Sequence, residues 1–185
     1  MAAGLAGKRK RAAGAAEPGS GEAALSGAAC VLGIDPGLER TGYAVIEMPG
    51  GRVKDAGLVR TTATRPLAAR LAELAEGMEE VLSEHAVRLL AVEDLFAHYK
   101  HPRTAILMGH ARGAVLLAAA RRGIEVISVP ATKIKKALTG NGHASKVQVQ
   151  RAIMATLGLG RMPEPSDVAD ALAIACYAAS ECQRK

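Results

Sequence analysis

The sequence predicts a mixed α/β fold, a central five-stranded sheet with helices on its faces. Three observations carry this. Three apolar segments separated by short turns come first, at Ala29–Asp35, Gly42–Glu47 and Val53–Thr61. Two further apolar segments, Leu89–Glu93 and Ile124–Val129, then alternate with helical patterns. Helical segments close the chain. The order gives three antiparallel strands followed by parallel ones. The 185 residues suffice for one domain with a core, and with 49% hydrophobic residues and no Trp that core must be built from Val, Ile, Leu and Ala.

Residues 1–28 are Ala, Gly, Ser and Glu around a Lys8-Arg9-Lys10-Arg11 run, a composition expected to be disordered. They lack the contiguous apolar stretch of a signal peptide. The basic run is compatible with a nuclear signal, an added DNA contact, a flexible tail or a start codon placed too early. The folded domain is assigned to residues 29–185.

Val31-Leu32-Gly33-Ile34 reads as a buried strand that ends in a carboxylate, Asp35, and is stopped by Pro36-Gly37. The turns Pro36-Gly37 and Pro49-Gly50-Gly51 make the first three strands neighbours. Leu67–His85 is an amphipathic helix: Leu67, Leu71, Leu74, Met78, Val81 and Leu82 share one face, with Glu73, Glu76, Glu79 and Glu80 opposite. Leu89–Glu93 is a second buried strand ending in a carboxylate, and Ala97–Arg103 reads as a loop. Thr104–Arg122 is apolar nearly all round, so burial on more than one side is expected. Gly109 and Gly113, four apart, would admit a second helix, from this chain or from another. Pro130 ends the Ile124–Val129 strand; helices near Ala131–Leu138 and Ser145–Leu157 flank Thr139-Gly140-Asn141-Gly142, and the last runs from Ser166 to about Cys182.

Cys30, Cys176 and Cys182 form no CxxC pair and are odd in number. This argues for small buried side chains in a reducing interior, the cytoplasm, over a disulfide scaffold. No apolar run approaches the ~20 residues of a membrane span.

The net charge is +6, and its distribution is uneven. Between Asp94 and Glu164 the single acid Glu125 faces eleven cations: Lys100, Arg103, Arg112, Arg121, Arg122, Lys133, Lys135, Lys136, Lys146, Arg151 and Arg161. Segregation on this scale suggests a polyanion, with phosphate contacts the usual cause.

Two strands end in Asp35 and Glu93, and Asp167 and Asp170 share one face of the first turn of the last helix. The apolar Ala171–Ala175 behind them drives that turn against the sheet. Four carboxylates can thus converge, and packing them together requires cations. Oxygen ligands without a His/Cys cluster favour Mg²⁺ or Mn²⁺ over zinc. Two such ions ~4 Å apart would suit phosphodiester displacement. Singly, Asp167 reads equally as a helix cap and Asp35-Pro36-Gly37 as a turn. Asp94 points to the opposite strand face and is read as structural.

Gly33-Ile34-Asp35-Pro36-Gly37 with Thr41-Gly42-Tyr43, Val92-Glu93-Asp94-Leu95-Phe96, Gly109-His110-Ala111-Arg112-Gly113, Lys146-Val147-Gln148-Val149-Gln150 and Asp167-Val168-Ala169-Asp170-Ala171-Leu172-Ala173 together resemble the RuvC family of bacterial Holliday junction resolvases. The resemblance covers about Val31 to Tyr177. It implies an RNase H-like fold, a homodimer, two-metal hydrolysis, and paired nicks in opposed strands of a four-way DNA junction that leave 5′-phosphate and 3′-hydroxyl ends. It maps the metal ligands to Asp35, Glu93, Asp167 and Asp170, though some relatives carry His where Asp167 stands. It places Phe96, the one Phe of the chain, at the junction centre, where it would stack on an unpaired base. It aligns Lys135 and Lys146 with basic residues near the cleavage point, Lys146 facing the scissile phosphate. Lys133, Lys136, Thr132 and Arg103 are further phosphate-contact candidates. Gly109 and Gly113 fall on the helix that pairs subunits, and RuvA and RuvB would be partners in branch migration. The N-terminal extension departs from the family pattern.

Two other function classes share parts of this pattern. A sugar-kinase or actin-like ATPase also opens with a strand and a Gly-x-Asp turn, but needs a second phosphate loop and a second domain. A non-catalytic junction-binding protein has no use for four converging acids.

Overall fold

In the computed structural model, which describes residues 8–11, 29–95, 102–161 and 163–183, apolar alternation along the strands builds two cores, one on each side of a single sheet. The strands are β1 (Lys8–Arg11), β2 (Cys30–Asp35), β3 (Arg40–Glu47), β4 (Val53–Arg60), β5 (Val87–Glu93) and β6 (Glu125–Val129). The helices are α1 (Leu67–Glu84), α2 (Pro102–Arg121), α3 (Ala131–Thr139), α4 (Lys146–Leu157) and α5 (Ser166–Gln183). The sheet order is β1-β4-β3-β2-β5-β6. Pairings β2–β3, β3–β4 and β1–β4 are antiparallel, whereas β2–β5 and β5–β6 are parallel.

Successive strand residues point to opposite faces. Val31, Ala44, Ile46, Ala56, Leu58, Leu89 and Ala91 pack towards α3, α4 and α5. Leu32, Ile34, Tyr43, Val45, Val59, Leu90 and Val92 pack towards α1 and α2. α5 is the most deeply buried helix, with ten residues from Val168 to Ala179 in the interior. It lies flat on β2 and β3 because Gly33 and Gly42 carry no side chain. A Cβ on Gly33 would collide with the backbone of Ala171 and Ala175, and one on Gly42 with the backbone of Asp167.

Three features differ from expectation. The sheet has six strands, not five: Lys8–Arg11, inside the segment expected to be disordered, pairs along β4 from Lys8↔Arg60 to Arg11↔Gly57. Backbone ladder bonds and buried ion pairs hold this tetrapeptide where its apolar content could not. Arg9 stacks over the Tyr43 ring at 5.1 Å and pairs with Asp55, and Arg11 reaches Glu84 at 2.7 Å. The other residues of 1–28 lie outside the described ones. Second, α2 begins at Pro102, so Pro102 and Arg103 open a helix instead of ending a loop. Only Ala111, Val115, Ala118 and Ala119 of α2 are buried, while Ile106 is 61% and Leu117 53% exposed. Third, Glu73 is buried within α1, accepting hydrogen bonds from the Thr62 N–H and from Arg65. Of the cysteines, Cys30 and Cys176 are buried as expected, but Cys182 is exposed because it lies in the last turn of α5.

Candidate active site

The strand period places Asp35 on the α5 side, two residues beyond Gly33 and four beyond Val31. Glu93 follows Leu89 and Ala91 onto that same side of β5. β2 and β5 are parallel, with Ile34 opposite Val92, so the two carboxylates leave neighbouring strand ends side by side. Across the other edge of β2, Asp35 pairs with Gly42, the glycine on which the Asp167 backbone rests. The first turn of α5 therefore hangs over the strand ends and brings Asp167 and Asp170 to them. Asp94 follows the end of β5, its N–H bonded to the Val129 carbonyl.

Both interpretations of Asp35-Pro36-Gly37 hold. The segment turns tightly: the Thr41 hydroxyl donates to the Gly37 carbonyl at 2.8 Å, and a Cβ on Gly37 would strike the Arg40 carbonyl. That turn also aims Asp35 into the site. Asp167 lies inside α5 as its second residue, so it is not the cap of that helix.

The electrostatics follow from this crowding. Burial, and then the charges of Asp170, Glu93 and Asp167, push the Asp35 carboxyl up to about 7, against the opposing pull of Lys146. Burial and Asp170 likewise raise Glu93, with Lys135 and Lys146 opposing. Lys146, the first residue of α4, is placed by a capping box between Ser145 and Gln148, and its Nζ donates to Asp170 Oδ2 at 2.7 Å. Arg40 approaches Asp167 Oδ2 to 3.8 Å, too far for a hydrogen bond, and that buried oxygen has no hydrogen-bond partner among the described residues.

Half-buried Asp35 and Glu93 are held above their ordinary range, and Asp167 beside them has an oxygen without a hydrogen-bond partner among the described residues, so the cluster favours added positive charge. An all-oxygen donor set of this kind fits a hard divalent cation. No three of the four acids present ligand atoms within 4.8 Å of one another, whereas Asp55, Glu84 and His85 do. The tighter trio lies on the α1 side of the sheet and is already neutralised by Arg9 and Arg11.

The structure thus brings together Asp35, Glu93, Asp167, Asp170 and Lys146, with Lys135 near Glu93. Lys133 and Lys136 are exposed on α3, and Arg103 is exposed in the first turn of α2. Phe96 lies outside the described residues. A Cβ built on Gly109 or Gly113 would meet nothing within 4 Å among the described residues, so neither position is closed off by another described element. Two residues had not been singled out. Arg40 and Arg70 line an open cleft of about 460 Å³ together with Asp35, Asp167 and Thr104. No spacing or composition marks them. Arg40 is brought in by the Pro36-Gly37 turn, and Arg70 by the packing of α1 behind it, where its Nε donates to the Thr61 hydroxyl.

Comparison with known proteins agrees with this geometry. Residues 31–177 match the family model described as crossover junction endodeoxyribonuclease RuvC. A RuvC of that description from Rhodopirellula baltica is 51% identical over 161 residues, 86% of each chain. The Thermus thermophilus RuvC structure superposes with a TM-score of 0.76 at 36% identity, covering 84% of this chain and 96% of that one. The same protein in complex with a Holliday junction substrate gives 0.78 at 35% identity, covering 84% and 95%. The fold, the carboxylate-ended strands and these matches together mean that the chain belongs to the RuvC family of crossover junction endodeoxyribonucleases.

Proposed function

We propose that this protein resolves four-way DNA junctions in recombination and repair. It does so by paired, metal-dependent nicks in opposed strands that leave 5′-phosphate and 3′-hydroxyl ends. The observation that carries the proposal is the convergence of Asp35, Glu93, Asp167 and Asp170 at the ends of β2 and β5 and the start of α5. These four would hold two Mg²⁺ ions, or Mn²⁺. Once bound, the ions would lower the pKa of an attacking water and stabilise charge on the leaving oxygen.

The chain's own residues supply the rest. Lys146 pairs with Asp170. A metal held by Asp170 would leave that ammonium available to face the scissile phosphate. Lys135, Lys133, Lys136 and Arg103 hold flanking phosphates, and Phe96 stacks on a base at the junction centre. Cutting two opposed strands takes two active sites. The open face of α2, with Gly109, Gly113, Ile106 and Leu117, provides the surface on which a second copy docks. RuvA and RuvB are the branch-migration partners, and the cytoplasm is the setting. Among the described residues no helix is long and apolar enough to cross a membrane.

Incubation of the purified protein with a synthetic four-way junction and Mg²⁺ tests the proposal. Symmetric nicked duplexes that ligate without further treatment are expected. A protein that binds the junction but never cuts it would be a junction binder only. Cleavage confined to flaps or RNA–DNA hybrids would change the substrate.

A further inference from the structure

The Lys8–Arg11 strand is positioned like a built element. Arg9 and Arg11 turn to the α1 side, where Arg9 bonds the Tyr43 hydroxyl and both arginines pair with Asp55 and Glu84. Gly57 admits the strand, since a Cβ there would strike the Lys10 carbonyl. Strand alternation sends Lys10 the other way. It pairs with Leu58, a residue of the α5-side core, and Arg60 follows Leu58 onto that same side of β4. Lys10 is exposed, Arg60 is half-buried, and neither makes an ion pair among the described residues.

Both line a groove of about 790 Å³ with Gln150, Glu164 and Ser166. The groove runs beside the first turn of α5: its lining residues Ser166 and Val168 are the chain neighbours of Asp167.

We propose that this groove carries the sugar-phosphate backbone of one duplex arm as it leaves the active site, with Lys10 and Arg60 as its phosphate contacts. This rests on the junction-resolving reading above. Charge complementarity and adjacency to the α5 turn that carries Asp167 select DNA as the occupant. The two cations are fixed in register by the β1–β4 ladder, and Gln150 and Ser166 add polar side chains along the same wall. Glu164 is the one acid among the described lining residues and leaves the groove net basic. The extension thereby adds a DNA contact to the face that holds the cutting site.

Fluorescence anisotropy with a labelled four-way junction, in EDTA across a salt series, tests this. Lys10→Gln/Arg60→Gln should weaken binding roughly 10-fold near 0.1 M salt. It should also reduce the log–log salt slope by about 2, since each lost phosphate contact removes ~0.9. Lys10→Gln alone should reduce the slope by about 1, and serves if the double variant folds poorly. Lys10→Arg/Arg60→Lys should retain the wild-type slope. Arg52→Gln/Lys54→Gln removes equal charge at the far end of β4 and should leave affinity and slope unchanged. A wild-type slope in Lys10→Gln/Arg60→Gln, or an equal loss in the Arg52/Lys54 variant, overturns the proposal. If the wild-type protein itself does not prefer the junction over linear duplex, the fault lies with the junction reading instead.

Discussion

Asp35 is caught between its neighbours and its fold: burial and three acids oppose its charge, and its carboxyl titrates near 7 instead of in the ordinary range. Unfolded, it titrates near ~3.9. Between those values the unfolded chain has lost a proton that the folded protein keeps, so metal-free stability falls as pH rises through this window. Asn at this position cannot ionise. We predict that Asp35→Asn raises metal-free stability at pH 7 by on the order of 2 kcal/mol in urea unfolding. The same variant should lower cleavage by roughly three orders of magnitude while junction binding, which rests on the basic surface, persists. Retained cleavage in a clean preparation would remove Asp35 from the site. Because the metal must displace that proton, Mg²⁺ affinity should tighten as pH rises towards about 7 and level off above it, a dependence calorimetry would resolve.

Two elements each depend on one close contact: α5, which lies on a face of the sheet and carries two of the acids, and β1, which closes its edge. α5 delivers Asp167 and Asp170 only because Gly42 and Gly33 let it touch the strands. Gly42→Ala sets a methyl group against backbone, which cannot rotate away. We expect a loss of about 1–3 kcal/mol or more together with a marked fall in cleavage; unchanged stability would mean that the helix yields freely. β1, on the far edge, is anchored through Asp55. Burial opposes the Asp55 charge, but the His85 hydrogen bond and the charges of Arg9 and Arg11 outweigh it and hold the carboxyl below its usual range. Arg9→Met removes the most buried of these cations and should cost about 3 kcal/mol. The stabilisation from Asp55 is fully present above ~3.9 and is lost as pH falls through the lower folded value. The gap in stability between wild type and Arg9→Met should therefore narrow in strong acid, which parallel urea titrations at several pH values would show.

At the scale of the whole molecule, the open face of α2 stands out. Leu117 and Ile106 are more than half exposed, and a Cβ on either glycine between them would meet nothing within 4 Å among the described residues. Ile106→Glu should shift sedimentation from dimer to monomer, because a charge buried at a subunit contact has no partner. Junction cleavage should then pass from paired nicks to single ones. A monomeric wild type would exclude this face as the pairing surface.

The sequence alone determined the local elements and the chemistry. Turn residues at Pro36-Gly37 and Pro130, apolar runs and helical spacing are short-range signals, and they located five of the six strands and the helices. Each of the four acids has an ordinary reading alone, as a turn, a cap or a strand end; they were legible because two strand ends and one helix start carry them together. The tertiary structure decided what depends on pairing between distant residues. A tetrapeptide of Lys and Arg has no strand signal of its own; it becomes one because Asp55, 46 residues along the chain from Arg9, needs buried cations. Glu73 looks like a solvent-facing helix residue until the Thr62 N–H and Arg65 close over it. The exposed side of α2 is likewise invisible to periodicity, since an apolar helix reads the same whether its outer face meets its own chain or another.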